Sequence, residues 1–297
     1  MIALPSALIE AMIQTLSEIG DPGSIKEVRL LGGGCINQAL QISTPINNYF
    51  LKWNSKTLPN MFSAEAYGLK LLSSGQTIRV PAVLRVQEAN LNSPAFILME
   101  WIDQRPGFDQ RICGHQLAQL HLTCTSDRYG LEHNNYIGST LQLNGWYVDW
   151  IDFFREKRIL PQLELAIRNG HCLKTRQQKI ERLVSRLDSW LSGVPRTPSL
   201  LHGDLWGGNV IGDHQRQPVL IDPAVYYGDR EADLAFTQMF GGFHQVFYQA
   251  YHENFPLEKG YQERFELYNI YHILNHLNLF GESYGYSLDA ALRKFVG

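Results

Sequence analysis

Three polar side chains in fixed order restrict this chain more than anything else in it: Asp204, then Asn209 five residues later, then Asp222 thirteen residues beyond that. Residues 201–209 read LHGDLWGGN. The apolar lead-in at 199–201 and the runs at 209–211 and 218–221 have the composition of short strands, and the polar, glycine-containing segment 212–217 between the last two has that of a turn. A hairpin of that size brings Asn209 and Asp222 side by side. Such an arrangement suits phosphoryl transfer: one Asp orients a substrate hydroxyl and takes its proton, an amide oxygen holds a metal, and a second carboxylate bridges metal to phosphate. Two oxygen ligands with phosphate and water suit Mg²⁺. Taken singly, each residue is an ordinary turn acid or loop amide; the order and spacing make the motif.

Composition narrows the setting. With 297 residues and 44% hydrophobic content the chain can bury a large core, as one bilobed unit or two modest domains. A net charge of −3 without a dense Lys/Arg block argues against a nucleic-acid partner. The first 18 residues mix apolar and polar groups, unlike a signal peptide, and no run is long enough to span a membrane. Four cysteines, at 35, 113, 124 and 172, form no CxxC pair. That usage suits a reducing compartment, so the expected location is cytoplasmic.

Along the chain, apolar spacing predicts a helix over 6–19 and strands over 25–31, 38–43 and 48–53. Gly32, Gly33 and Gly34, followed by Cys35 and Asn37, form a loop between the first two strands that can set backbone N–H groups against phosphate oxygens. It lacks the spacing GxGxxG, which leaves Asn37 or the surrounding backbone to do the remaining phosphate work. Lys52, flanked by Leu51 and Trp53, needs a partner, and Glu65 in a helix over about 60–72 is the candidate. Residues 96–102 read as a final strand and hinge, where the backbone of Glu100, Trp101 and Ile102 pairs with adenine and Met99 packs near the ring. Each feature has a plainer reading: a tight turn, an edge lysine, a buried strand without a ligand. The sequence alone leaves these open. Beyond residue 102 the pattern turns helical, over 110–125, 146–167, 173–191, 231–240 and 265–280. The expected fold is therefore α+β and bilobed: a small β-rich lobe over 1–102 that binds nucleotide, and a larger, mostly helical lobe over 103–297 that carries catalysis and substrate. His115, His121, His272 and His276 read as core or capping histidines, and the aromatics from Phe236 to Tyr251 as packing for the larger lobe.

These residues carry a resemblance. HGDLWGGN at 202–209, DPAVYYGDREADLA at 222–235, MFGGF at 239–243 and NHLNLFG at 275–281 together resemble the fructosamine kinase (ketosamine 3-kinase) family, nearly end to end. The glycine loop, Lys52, Glu65, the 98–100 hinge and the segment 153–163 with Arg158 belong to the same likeness. HGDxxxxN by itself would indicate only the wider aminoglycoside phosphotransferase-like group. The resemblance implies a protein-kinase-like fold and an ATP-dependent, Mg²⁺-requiring kinase acting on the 3-hydroxyl of ketosamines, on lysines or free amines, with loss of the phosphorylated sugar. Carried over, Asp204 is the base, Asn209 and Asp222 hold the metal, Lys52 contacts phosphate and Glu65 steadies it. For the acceptor, Trp206 is expected to stack on the sugar, and Asp229 or Glu231 to offset the charge of the amine. A Cys35 thiol in a phosphate loop adds a redox possibility, so the expected state is a monomer or a redox-sensitive homodimer. Two other classes stay open: another small-molecule kinase of the aminoglycoside or choline type, and a non-catalytic nucleotide-binding scaffold.

Overall fold

Strand alternation sorts the first hundred residues into two packed faces. The computed structural model describes residues 4–32, 37–55, 58–90 and 93–297. Helix α1 (Ser6–Glu18) precedes β1 (Glu27–Leu31), β2 (Gln38–Ser43) and β3 (Asn48–Asn54); α2 (Met61–Ser74), β4 (Val83–Gln87) and β5 (Ala95–Glu100) follow. The strands form one antiparallel sheet in the order β1-β2-β3-β5-β4. Side chains point to opposite faces with period two. Leu51 and Trp53 of β3, with Phe96 and Leu98 of β5, therefore meet Leu8, Met12 and Leu16 of α1. On the other face Ala95, Ile97 and Met99 meet Phe62 and Leu69 of α2. Lys52 falls between Leu51 and Trp53, so it projects from the α2 face. Strand β4 was not expected from the sequence: it follows Pro81, four of its residues are half-buried and Arg85 is exposed, and its pairing slips between Val83 and Arg85.

A second and larger apolar core occupies the helical remainder. Helix α3 (Gln110–Thr123) starts at Asp109, whose carboxylate accepts the Ile112 N–H at 2.9 Å. The helix expected over 146–167 begins later, at Trp150, and passes through a π-helical turn, Phe154–Ile159, into Leu160–Arg168. That turn buries Arg158 completely. Its guanidinium lies 3.9 Å from the Tyr226 ring centroid and donates to Leu143 O at 2.7 Å and Asn144 Oδ1 at 2.9 Å. The helix expected over 173–191 is two, Lys174–Val184 and Asp188–Leu191, while those expected over 231–240 and 265–280 run Arg230–Thr237 and Tyr261–Phe280. Helices Gln245–Asn254 and Gly285–Val296 were not expected. The first of these buries only Phe247, Ala250 and Tyr251, a stripe that gains meaning from the α3 surface it packs on. No helix among the described residues is long and apolar enough to cross a membrane.

Candidate active site

Strand Ser199–Leu201 pairs with Tyr226–Gly228 and delivers the chain to a tight loop at 202–204. Gly203 sits at φ +80°, where a Cβ would lie 2.0 Å from Ala224 O, so only glycine fits this close crossing. The loop is held from below by Asp233, which accepts the His202 N–H at 2.7 Å and the Gly203 N–H at 2.8 Å. His121, buried and in contact with the Tyr251 hydroxyl, supports Asp233 in turn at 3.2 Å. His202 Nε2 lies 2.9 Å from Ile221 O, a carbonyl that can only accept, so Nε2 carries the proton and Nδ1 faces the Asp204 N–H at 3.3 Å. Burial pulls His202 below the ordinary histidine range. A neutral imidazole thus ties the Asp204 loop to the strand that leads into Asp222.

The hairpin pairs Val210–Gly212 with Pro218–Leu220, and the Ile221 N–H donates to Asn209 O at 3.0 Å, which sets Asn209 beside the approach to Asp222. Asn209 Nδ2 donates to Asp204 O at 2.8 Å and to Asp204 Oδ2 at 3.0 Å. The amide nitrogen is thereby assigned to Asp204. Among the described residues no hydrogen bond reaches Asn209 Oδ1, which leaves that oxygen for a ligand. Burial pushes Asp204 up to about 7, against the Asn209 hydrogen bond and with help from the Asp222 and Asp233 charges. Asp222 adopts φ +57°, a left-handed conformation that costs a non-glycine residue about 1 kcal/mol. In that pose its carboxylate pairs with Lys52 Nζ, which also donates to Glu65 Oε1 at 2.7 Å. Burial alone would lower Lys52, but the two carboxylates outweigh it and raise the ammonium above its ordinary range. Burial raises Glu65, and the Asp222 charge adds to the effect.

One cleft gathers these groups: Lys52, Glu65, Asp204, Asn209 and Asp222 line it together with Gly32, Asn37 and Trp206. Gly33, Gly34 and Cys35 lie outside the described residues. Among the described residues no cluster of three or more His, Cys, Asp or Glu makes a self-sufficient metal cage. The pair offered by Asn209 Oδ1 and Asp222 fits a cation that takes its other oxygens from phosphate and water, as Mg²⁺ does. Adjoining the cleft, and sharing Phe50, Ile211 and Ile221 with it, an apolar slot is also lined by Leu69, Met99, Glu100, Trp101 and Ile102. The Glu100 side chain is turned to Arg79 at 3.2 Å and to the Ala82 N–H at 3.0 Å. The Ile102 N–H makes no hydrogen bond among the described residues, so the slot combines apolar walls with a free backbone donor, which fits a nucleobase. The Trp206 ring covers Gly208, where a Cβ would lie 2.3 Å from it, and is 37% exposed.

Two expectations are corrected. Asp229 and Glu231 are 4% and 2% exposed, so neither reaches an acceptor. Asp229 caps the helix Arg230–Thr237 and pairs with Arg196 at 2.6 Å and the Tyr268 hydroxyl at 2.7 Å. Glu231 is bound by Arg264 through two contacts of 2.6 and 2.7 Å. Both are structural anions with buried cations of their own. His272, expected in the core, is there, stacked on Phe236; His276 instead lines the cleft. Asp233 has no role of its own in the sequence motif, although an acid between Ala232 and Leu234 on a buried helix is a usable signal.

Comparison with known proteins then decides the family. The fructosamine kinase family model matches residues 8–296. The chain belongs to the fructosamine kinase family. A probable ketoamine kinase of Enterococcus faecium is 43% identical over 263 residues, covering 89% of this chain and 93% of that protein. The chloroplastic protein-ribulosamine 3-kinase of Arabidopsis thaliana is 40% identical over 267 residues, 89% of this chain and 81% of its own. Among solved structures, one described as "Putative fructosamine-3-kinase" from Haemophilus somnus superposes with a TM-score of 0.89 at 32% identity, over 98% of both chains. Aminoglycoside phosphotransferase APH(4)-Ia, in a ternary complex with ADP and hygromycin B, superposes at 0.68 with 15% identity, over 98% of this chain and 100% of that one, and shares the fold. As a fructosamine kinase family member the protein is a phosphotransferase with a protein-kinase-like fold.

Proposed function

We propose that this protein is an ATP-dependent kinase for the 3-hydroxyl of ketosamines, fructosamine or ribulosamine adducts on protein lysines or free amines, and that the phosphorylated sugar then leaves and restores the amine. The observation that carries the reading is the convergence of Lys52, Asp204, Asn209 and Asp222 in one cleft of a fructosamine kinase family member. Residues 1–102 would form the nucleotide lobe and 103–297 the acceptor lobe. The cysteine usage favours a cytoplasmic setting.

In this reading the apolar slot between Met99 and Ile221 takes adenine, and the Ile102 N–H donates to a ring nitrogen. Lys52, oriented by Glu65, offers its ammonium to the nucleotide phosphates, while Gly32 and Asn37 close over them. Mg²⁺, when bound through Asn209 and Asp222, supplies neutralising charge at the transferring phosphoryl group. Asp204 accepts the proton of the acceptor hydroxyl, a role for which a carboxyl held near 7 is suited, and the Asn209 amide keeps it aimed. Positioning accounts for most of the acceleration, and the base for about 10²–10⁴ of it. Trp206 offers the sugar a flat face beside the base.

The test is ATP turnover on fructosamine- and ribulosamine-modified lysine beside unmodified lysine, kanamycin and choline. Turnover confined to the glycated compounds is expected, and Asp204→Asn should lower kcat by about 10²–10⁴ while ATP still binds. Turnover on kanamycin or choline alone would replace the substrate and keep the kinase. ATP binding without any turnover would overturn the enzyme reading.

A further inference from the structure

Away from the nucleotide slot, the cleft ends in a wall without fixed charge. Three of the molecule's exposed large apolar side chains gather there: Trp206, Phe240 and Phe280, at 37%, 42% and 49% exposure. Phe240 and Phe280 flank His276. Its ring centroid lies 5.0 Å from Phe240, 5.6 Å from Phe280 and 4.9 Å from Tyr284, and Trp206 meets Phe240 edge-on at 5.8 Å. All five line the same cleft as Asp204. Exposed aromatic side chains clustered in a concave site mark a surface built to be covered.

The tautomer of His276 follows from a single contact. Its Nδ1 lies 2.8 Å from His272 O, a backbone carbonyl that can only accept, so the proton is on Nδ1 and Nε2 presents a lone pair. Nε2 has no protein partner among the described residues, and it is not one of the buried atoms left unpaired. Burial also holds the imidazole below its ordinary range, which keeps it neutral. Among the described residues lining the cleft, Lys52 is the one lysine or arginine, and it is bound to Glu65 and Asp222. An acceptor with a positive charge therefore meets no free cation at this wall. It meets ring faces, which attract cations, and one neutral nitrogen acceptor.

Resting on the ketosamine reading above, we propose that His276 with Phe240, Phe280 and Tyr284 forms the subsite for the protonated secondary amine of the acceptor, whose N–H donates to His276 Nε2 while the aromatic faces take its charge and the adjoining methylenes. Selectivity for an amine-borne sugar over a free one then comes from this aromatic wall. Asp229 and Glu231, the carboxylates first expected in the role, are buried elsewhere.

The experiment compares a fructosyl-lysine derivative with the same compound carrying an ether oxygen in place of the secondary amine. Wild-type protein, His276→Phe and His276→Gln are assayed for kcat/KM on each and for the KM of ATP. Wild type should prefer the amine by about tenfold or more, the effect of a hydrogen bond to a charged group. His276→Phe, which keeps an aromatic ring and loses the acceptor, should erase that preference through the amine substrate alone and leave the ATP KM unchanged. His276→Gln, with a carbonyl acceptor, should recover part of it. Phe280→Leu, at an exposed ring where misfolding is not expected, should weaken the amine substrate more than the ether. Equal losses on both compounds in His276→Phe and Phe280→Leu, or no loss on either, would overturn the subsite while wild-type turnover upholds the ketosamine reading. A wild-type enzyme inert towards every ketosamine would overturn that reading and the subsite with it.

Discussion

Asp233 holds the loop before Asp204, the proposed base, without lining the cleft itself. Its two oxygens accept the N–H groups of His202 and Gly203, and this holds the backbone immediately before Asp204. In Asp233→Asn one acceptor becomes a donor facing an N–H, at a cost of about 1–3 kcal/mol. We expect a lower Tm and a kcat reduced at least about tenfold, because Asp204 loses its aim, with an ATP KM close to wild type. Steady-state kinetics with thermal melts separate the two effects. Glu231 makes the opposite case: it is as deeply buried, but its carboxylate serves Arg264. Glu231→Gln leaves a buried guanidinium short of its counter-charge and should lower stability by about 3 kcal/mol without changing the acceptor KM. A raised acceptor KM with unchanged stability would return Glu231 to the substrate site.

At the scale of the element, the helix Tyr261–Phe280 carries one core histidine and one cleft histidine a turn apart. His272 stacks on Phe236 at 3.7 Å between centroids and 8° between planes, and its Nδ1 is buried without a partner among the described residues. Burial holds it well below the ordinary value of 6.5, and His276 lies below it for the same reason. A depressed folded-state value means that the unfolded chain binds the proton first. The stability from the neutral ring is therefore complete above about pH 6.5 and is lost progressively as pH falls below it, by up to about 1.4 kcal/mol per pH unit for each histidine. Denaturant melts at descending pH should show this decline, and His272→Phe, which keeps the stack and cannot protonate, should make it shallower. An unaltered slope in the variant would assign the acid sensitivity to other groups, such as the Asp289 and Glu282 carboxylates that Arg176 holds low.

Across the whole molecule, the Lys52 ammonium joins parts far apart in the chain: β3 supplies the lysine, α2 supplies Glu65, and the hairpin after the Asp204 loop supplies Asp222. Nucleotide that engages this centre must bind the folded form alone. ATP with Mg²⁺ at a hundred times its Kd should stabilise the protein by about 2.7 kcal/mol, read as a Tm rise of several degrees. EDTA should remove most of the rise, and Lys52→Met should remove it as well. The same rise in Lys52→Met as in wild type would place the nucleotide elsewhere.

The sequence by itself determined the local chemistry, and the reason is covalent: Asp204, Asn209 and Asp222 are close along one chain, and the short hairpin between them leaves little choice of geometry. Alternation within β3 likewise put Lys52 on the face opposite Leu51 and Trp53, and the cost of an unpaired buried cation predicted a partner such as Glu65. His121 and His272 read from sequence as core or capping histidines, and the structure buries both. Tertiary structure decided what spacing cannot express. Asp229, Glu231 and Asp233 lie within five residues in one acidic run, yet one serves Arg196, one Arg264 and one the loop before Asp204. A carboxylate's role follows from which donor its environment brings to it once water is excluded, and those donors come from other parts of the chain. His276 is the same lesson at a single atom: the carbonyl of His272 sets its tautomer, but only the folded cleft leaves its other nitrogen open to a ligand.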